Sequence, residues 1–588
     1  MKRFVFLALS LILTVTALVS PSAVKAEDET TGTWGQLEWI LDANGILTIS
    51  GEGDMQADPD YPDPIIDTKW DHTKVKTVIM KEGITSVGFA AFFGHKYLTE
   101  VIMPSSVTVI ETWAFYDCTA LEEIKLPSAL HTIEGGAFVG CTGLKSITIP
   151  TSVVKLDTAF RMCTSLNSIE VEEGNTIYYS EGNCIIEKES KTLINGCNNS
   201  VIPKGVVTIG SYAFANCNGF GAFTIPEGVV SIGDYAFAEC TGVENIIIPD
   251  SVTNIGSYAF YGCKGLKDIV LSEKLEIIRE YSFRGCENLK SIIIPDSVTD
   301  IGSYAFYGCK SLKAVVLSKE LETIMGWAFG ECENLEEITI PKTVKSIGRY
   351  AFEYCTSLEE LYIPEDVDFI DIGITKCCKK LANLQVDKEN KKYHSESNCI
   401  IETEGKLLIA GCKKSVIPYG VLSIGDHAFD GVSGLKNISI PSTVTDIGKN
   451  AFVTCSDLER IVIPTSVETI ANNAFWGCNS LISVFYTGTA EQWNIIDKSA
   501  SNTFPHSVPI QYVMNYTVPT GDANGDGEVN SLDAAFILKY DAGILTGVDF
   551  AYSDFNLDGK VDSLDAAQIL RYDAGIINAG TCNNVMAT

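Results

Sequence analysis

Near the C-terminus the segment GDANGDGEVNSLDAAFILKYDAG, residues 521–543, is repeated at 553–575 as SDFNLDGKVDSLDAAQILRYDAG. Oxygen-bearing side chains fall at the first, third, fifth, ninth and twelfth positions of each loop. They are Asp522, Asn524, Asp526, Asn530 and Asp533 in the first copy, and Asp554, Asn556, Asp558, Asp562 and Asp565 in the second. A hard cation takes six or more oxygens, and a curling loop delivers them from alternate residues. Gly527 and Gly559 permit the sharp bend at the sixth position, and the carbonyls of Glu528 and Lys560 supply the seventh. The plainer alternative is a pair of Asp/Asn/Gly-rich turns capping two helices. Coincidence of the whole pattern in two copies argues against it, and two bound calcium ions are expected.

This is the spacing of an EF-hand calcium loop. A helix, LDAAFILKYDAG, leaves each loop, but none enters the first, which is preceded by Pro519 and a turn. In this the segment resembles a type I dockerin, the module that plugs cellulosomal proteins into a cohesin on a scaffoldin. The resemblance covers about residues 518–578 and includes Asp rather than Glu at the loop end. It implies cohesin contacts at Ser531, Leu532, Leu538 and Lys539 in one copy and at Ser563, Leu564, Leu570 and Arg571 in the other. Because the two sets nearly match, either helix is expected to serve the same partner. Calcium is expected to be structural, since so short a segment buries little core and metal binding must supply much of its folding energy.

The rest of the chain must present this module. MKRFVFLALSLILTVTALVSPSAVKA has two basic residues, an apolar run and Ala26 before an acidic start, the pattern of a secretory signal peptide cleaved after Ala26. The run is short for a membrane anchor, and no second run of membrane length occurs. The chain is therefore expected to be secreted and held at a cell-surface assembly by docking. With 43 basic and 75 acidic residues the net charge is −32, which argues against nucleic acid or an anionic membrane as partner.

Between the two ends an Ala-Phe pair recurs every 23 residues, from Ala91 and Ala114 through Ala305 and Ala328 to Ala474. Each unit reads close to IGSYAFYGCKSLKAVVLSKELET: a strand-like alternation, a turn, a second short strand and the Ala-Phe bend. Such a unit cannot bury its own apolar face, so stacked neighbours must build the core. The pattern resembles the BspA-like branch of leucine-rich repeats. The implied fold is mostly β: a leucine-rich-repeat solenoid of about fifteen coils, two with hairpin inserts, plus a small α-helical calcium-binding dockerin. The expected organisation is a signal peptide over 1–26, an N-terminal cap over 27–80, repeats over 81–486, a C-terminal cap and linker over 487–515, the dockerin over 516–580 and a tail over 581–588.

Two intervals, Ala159 to Ala213 and Ile374 to Ala428, break the period and share a pattern, NTIYYSEGNCIIEKESKTLINGC and NKKYHSESNCIIETEGKLLIAGC. Each is expected to extrude a hairpin from a coil. Most of the 19 cysteines, from Cys118 through Cys309 to Cys478, sit four residues after the Ala of the Ala-Phe pair. There they form an inward ladder of thiols packed as small apolar groups, because parallel side chains on adjacent coils lack the opposed Cβ vectors of a cystine. Cys184 with Cys197 and Cys399 with Cys412 could bridge each hairpin. Cys582 reads as a free thiol in a polar tail.

Two columns could bind something. The outward residues Ile247, Val270, Ile293, Val316, Thr339 and Tyr362 stack as a stripe at about 4.8 Å per coil. This is either a protein-binding surface or simple β-propensity. A second column, Tyr212, Tyr235, Tyr258, Tyr281, Tyr304, Trp327 and Tyr350, could grip a polysaccharide or be half-buried structure. The 6 histidines are scattered, with no HExxH or GxSxG. The chain reads as a non-enzyme: a secreted cellulosome-associated protein whose dockerin binds cohesin with calcium and whose solenoid recognises a protein or cell-surface ligand. A polysaccharide-binding subunit targeting plant cell wall is the alternative. A glycosidase, needing only two carboxylates, is the third and least supported reading.

Overall fold

The 23-residue period becomes one turn of a β-solenoid, as the sequence indicates, in a computed structural model that describes residues 30–55, 70–219, 222–498, 504–505, 508–512, 523–524, 529–545, 553 and 561–574. Among the described residues the solenoid makes about eighteen turns, more than the fifteen coils expected, because cap strands such as Ile46–Ser50 and Ile510–Tyr512 continue its first sheet. In a typical turn the strand Ser291–Ile293 pairs in parallel with Ala314–Val316, Ile293 opposite Val316. After a turn, Asp300–Ile301 pairs with Thr323–Ile324 in a second parallel sheet. The Ala-Phe bend then closes the coil, and the Phe306 N–H donates to the Ala328 carbonyl of the next coil at 2.8 Å. Alternate residues of the first strand, such as Ile292 and Val315, point inward and are buried.

The core is a set of one-residue columns. Phe rings stack from coil to coil, Phe260 on Phe283 at 5.4 Å and Phe283 on Phe306 at 5.4 Å. Beside them the cysteine thiols line up, donating to a Phe carbonyl of the preceding coil as Cys309 does to Phe283 at 3.2 Å, except Cys217, whose acceptor is the Gly196 carbonyl. Burial pushes the Cys309 thiol up to about 12, so it is neutral and inert. Among the described cysteines Cys217 alone is only half-buried, and none forms a disulfide.

The inserts are not extruded. The strands Tyr178–Glu181, Cys184–Glu187 and Thr192–Asn195 form an antiparallel meander whose last strand joins Thr208–Ile209 of the second sheet in parallel. Residues 393–410 repeat this arrangement onto Ser423–Ile424. Each meander lies across the solenoid as a septum buried on both faces. Ile185 packs into the core before it, while Cys184 and Ile186 pack into the core after it. The physical reason is the unbroken Cys-Ile-Ile run, which leaves neither face polar. At the meander's end Gly196 takes the place of a ladder Phe: its N–H donates to the Ala213 carbonyl at 2.8 Å, and a Cβ there would lie 2.0 Å from the Phe214 ring. Gly411 stands in the same relation to Phe429. The solenoid interior is thus divided into three apolar cores.

The septum also positions the four cysteines of the inserts. Cys184 belongs to the core after the first septum and Cys197 to the core before it; Cys399 and Cys412 are likewise on opposite sides of the second. Ser200 lies against both thiols of the first pair and Ser415 against both of the second, and all four thiols are free.

At the ends, Thr30–Trp34, Leu37–Leu41 and Ile46–Ser50 make an antiparallel cap that feeds the first sheet at Thr77–Met80. At the other end helix α1, Ala490–Ile495, is closed by a capping box between Thr489 and Gln492 and buries Trp493. Helices α2, Ser531–Asp541, and α3, Ser563–Asp573, form the C-terminal module. Among the described residues no helix is long and apolar enough to cross a membrane. Residues 1–26, where a signal peptide is expected, and Cys582 lie outside the described residues.

Candidate functional site

Two places combine exposure with a built arrangement of side chains. The first is the stripe on the solenoid's first sheet. Strand alternation buries Ile246, Ile269, Ile292, Val315 and Leu361, and turns their neighbours outward. Ile247, Val270, Ile293 and Val316 are each more than half exposed, at 63%, 58%, 67% and 57%, followed by exposed Thr339 and Tyr362. Inter-coil ion pairs flank the stripe, Lys267 with Glu244 at 2.8 Å and Lys319 with Asp296 at 2.8 Å. Such surface pairs contribute little stability, but they give the stripe a charged rim.

The tyrosine column is different. Its rings lie face to face, Tyr235 on Tyr258 at 4.4 Å and Tyr258 on Tyr281 at 4.3 Å. Arg161 covers Tyr212 at 4.3 Å, and His427 meets Tyr350 edge-on. Both faces of the rings are taken, so the column holds coils together and offers no stacking platform. Each of these residues sits at a φ near +60°, a left-handed bend that ordinarily favours glycine; the stacking offsets that strain. Beyond Tyr350 the column runs into a buried polar network. His427 Nδ1 lies 2.7 Å from Asp430, and Lys376 lies 2.6 Å from Glu353. Burial lowers the Lys376 ammonium, but hydrogen bonding to Glu353 and the charge of Asp430 outweigh it and hold the group above its ordinary range.

The second place is the C-terminal module. Ala534 and Ile537 of α2 pack on Ala566 and Ile569 of α3, forming a small core of their own. Asp533 and Asp565, the twelfth loop positions, are fully buried. Asp533 accepts from the N–H groups of Asn524 at 3.0 Å and Asn530 at 2.8 Å, and Asp565 accepts from the Asp562 N–H at 2.9 Å. A buried carboxylate demands compensating charge or hydrogen bonds, and buried oxygen donors repeated in two copies suit a hard cation. Among the described residues no group of three or more metal-ligating side chains is assembled. The expected ligands Asp522, Asp526, Glu528, Asp554, Asn556, Asp558 and Lys560 lie outside the described residues. Outward from this frame, Leu532, Leu538, Leu564 and Leu570 are exposed, with Lys539 and Arg571 beside them.

Residues 65–184, 191–301, 276–400 and 410–512 match the BspA type leucine rich repeat region, in 6 copies. The chain belongs to the BspA-type leucine-rich repeat family. In this BspA-type chain residues 520–572 also match the type I dockerin domain, a calcium-binding module whose partner is cohesin in the cellulosome. Both are non-catalytic kinds of domain, and no catalytic family is found. No curated relative matches. Among solved structures, a leucine-rich repeat protein from Eubacterium ventriosum is 28% identical, covering 55% of this chain and 95% of its own, with a TM-score of 0.50. A leucine rich cell surface protein from Faecalibacterium prausnitzii is 24% identical over 55% and 98%, TM-score 0.40. A leucine-rich repeat protein from Bacteroides ovatus is 23% identical over 83% and 98%, TM-score 0.35.

Two pairs of residues in the BspA-type chain's dockerin escape sequence reasoning. The carboxylate of Asp573, ending α3, accepts from the Ser531 N–H that starts α2, at 3.0 Å. Asp541, ending α2, accepts from the Ser563 N–H that starts α3, at 3.2 Å. Each helix thus caps the other. The signal was present in the duplicated Tyr-Asp-Ala-Gly that closes both copies.

Proposed function

We propose that this chain is a secreted, non-catalytic cellulosomal subunit that docks on cohesin in a calcium-dependent way and displays a solenoid that recognises a protein or cell-surface ligand. The observation that carries the docking half is the pair of mutually capped helices bearing matched exposed residues. Ser531, Leu532, Leu538 and Lys539 face cohesin in one orientation; Ser563, Leu564, Leu570 and Arg571 face it in the other. Two calcium ions, held by the twelve loop positions, keep each helix start in place. Calcium supplies folding energy here and no chemistry.

The test is titration of the full chain onto immobilised cohesin. Capture is expected with calcium and absent in chelator. Substituting Ser531 and Leu532 alone, or Ser563 and Leu564 alone, is expected to leave binding, and substituting both sets to abolish it. Binding that persists in chelator, or complete loss from either single set, overturns the reading.

For the solenoid, the rimmed stripe from Ile247 to Tyr362 supports recognition of a macromolecular surface. Retention of the labelled chain on whole bacterial cells and on plant cell wall, compared with Ile293→Asp combined with Val316→Asp, tests it. Equal retention of parent and variant rejects the stripe as the contact surface.

A further inference from the structure

Trp476 stands apart from every other aromatic residue of the bends. It occupies the position immediately after the ladder Phe, where a ring ordinarily leans over the next coil. Phe93 lies on Tyr116 there at 4.6 Å, and Tyr307 lies so close over Gly330 that a Cβ would meet its ring at 2.8 Å. Trp476 is on the last regular coil. The Phe ladder continues into the C-terminal cap through Phe504, which stacks on Phe475 at 4.8 Å, so the next rung after Trp476 is Pro505. Proline is too small to cover an indole. Trp476 stays 53% exposed, and among the described residues no other ring stacks on it.

The uncovered indole faces a cavity of about 450 Å³. Phe504 and Pro505 supply further apolar wall; Thr454, Ser456 and Asn479 supply two hydroxyls and an amide. Among the described residues the lining holds no ionisable side chain, in a chain where 20% of residues are charged. The volume falls in the usual range for small-molecule sites, about 300–1,000 Å³.

We infer that this cavity binds a neutral sugar ring, one or two residues of an uncharged polysaccharide. A pyranose in its chair form presents a face of C–H groups, which packs on an open indole. Its rim of hydroxyls both donates and accepts, which neutral hydroxyl and amide groups match and charged groups are not needed for. A uronic acid finds no cation among the described lining residues and meets a strongly acidic protein. The site is separate from the Ile247–Tyr362 stripe and from both cohesin-facing helices, so it adds glycan attachment to a chain that docks elsewhere.

Isothermal titration calorimetry of the full calcium-loaded chain decides it, with cellohexaose, xylohexaose and mannohexaose as neutral probes and tetragalacturonate as the anionic one. Saturable binding of at least one neutral hexaose is expected. Trp476→Ala should weaken it at least tenfold and Asn479→Ala severalfold, while Trp476→Phe keeps most of it and Tyr97→Ala, at an exposed tyrosine outside both surfaces, changes nothing. Both Trp476 and Asn479 are exposed, so an unchanged melting temperature separates loss of binding from loss of fold, and Asn479→Ala decides alone if Trp476→Ala melts early. No saturable heat from any neutral hexaose, binding of tetragalacturonate alone, or equal affinity in parent and in the variants overturns the assignment.

Discussion

The indole N–H of Trp70 donates to Nε2 of His95 at 2.9 Å, where the N-terminal cap meets the first Ala-Phe coil. His95 is completely buried, and its Nδ1 faces the Phe93 carbonyl at 3.2 Å, so the ring is neutral with its proton on Nδ1. Burial lowers its folded-state pKa to about 4, and the neighbouring His72 adds to the effect. A group depressed on folding contributes stability that is fully present above its unfolded value near 6.5 and is lost as pH falls toward 4. The first block should therefore melt earlier below pH 6.5, with up to roughly 3 kcal/mol at stake. Calorimetry from pH 7.5 to 4.5 checks it: His95→Cys, which installs the residue of the other coils, should flatten the pH dependence.

The reciprocal caps of the dockerin predict crossed effects. Asp573→Ala should weaken the start of α2, and Asp541→Ala the start of α3, each by about 1 kcal/mol. Denaturant melts of the calcium-loaded module read the stability. Cohesin affinity measured on a chain with Ser563 and Leu564 already substituted should fall for Asp573→Ala, because that chain docks through α2.

Asp533 and Asp565 should be indispensable one by one. Each is buried and accepts hydrogen bonds from its own loop, so Asp533→Ala removes both a cation ligand and a helix-start partner. Calcium titration followed by circular dichroism is expected to show one tight site in place of two in either variant. Two unchanged sites would contradict the ligand assignment.

At the second septum Gly411→Ala should be severe and Gly405→Ala mild. A Cβ on Gly411 lies 2.0 Å from the Phe429 ring inside a closed core, whereas on Gly405 it meets only the flexible Glu402 carboxylate. Overpacking of this kind costs about 1–3 kcal/mol, and loss of backbone hydrogen-exchange protection in residues 399–475 is the measurement.

The thiol ladder should resist alkylation until the solenoid opens. Cys286 donates to the Phe260 carbonyl at 3.3 Å, and burial drives its pKa far up. Iodoacetamide labelling of the native chain should spare Cys286 and label it in guanidinium. Cys286→Ser, which keeps a donor, should cost less than a substitution that overfills the column, such as Cys286→Leu.

The sequence disclosed what repeats. A period of 23 placed Phe306, Cys309 and Val316 in column, buried and exposed as expected, because stacking forces equivalent residues into equivalent environments. It also separated structural tyrosines from ligand platforms only partly, since the same residue type at Tyr258 can be covered by the next coil or left open. The inserts were misread because polar turns bracket them; the Cys184-Ile185-Ile186 run was the clue, as an unbroken apolar strand asks for cover on both faces. Trp476 could not be singled out from spacing at all. Its exposure is set by Pro505 and the cap beyond the last coil, and no property of the repeat carries it.

Three sealed cores in series have a mechanical meaning. On the function proposed above, a subunit tethered to a scaffold at one end and to its target along the solenoid carries tension whenever the two move apart. In an undivided solenoid a peeled coil exposes the next, and failure runs the length of the rod. Here a tear that reaches residues 178–195 or 393–410 meets antiparallel strands hydrogen-bonded on both sides and a fresh core behind them. The meanders act as crack-stoppers, and the rod yields by sections, each able to re-zip against a wall that never left.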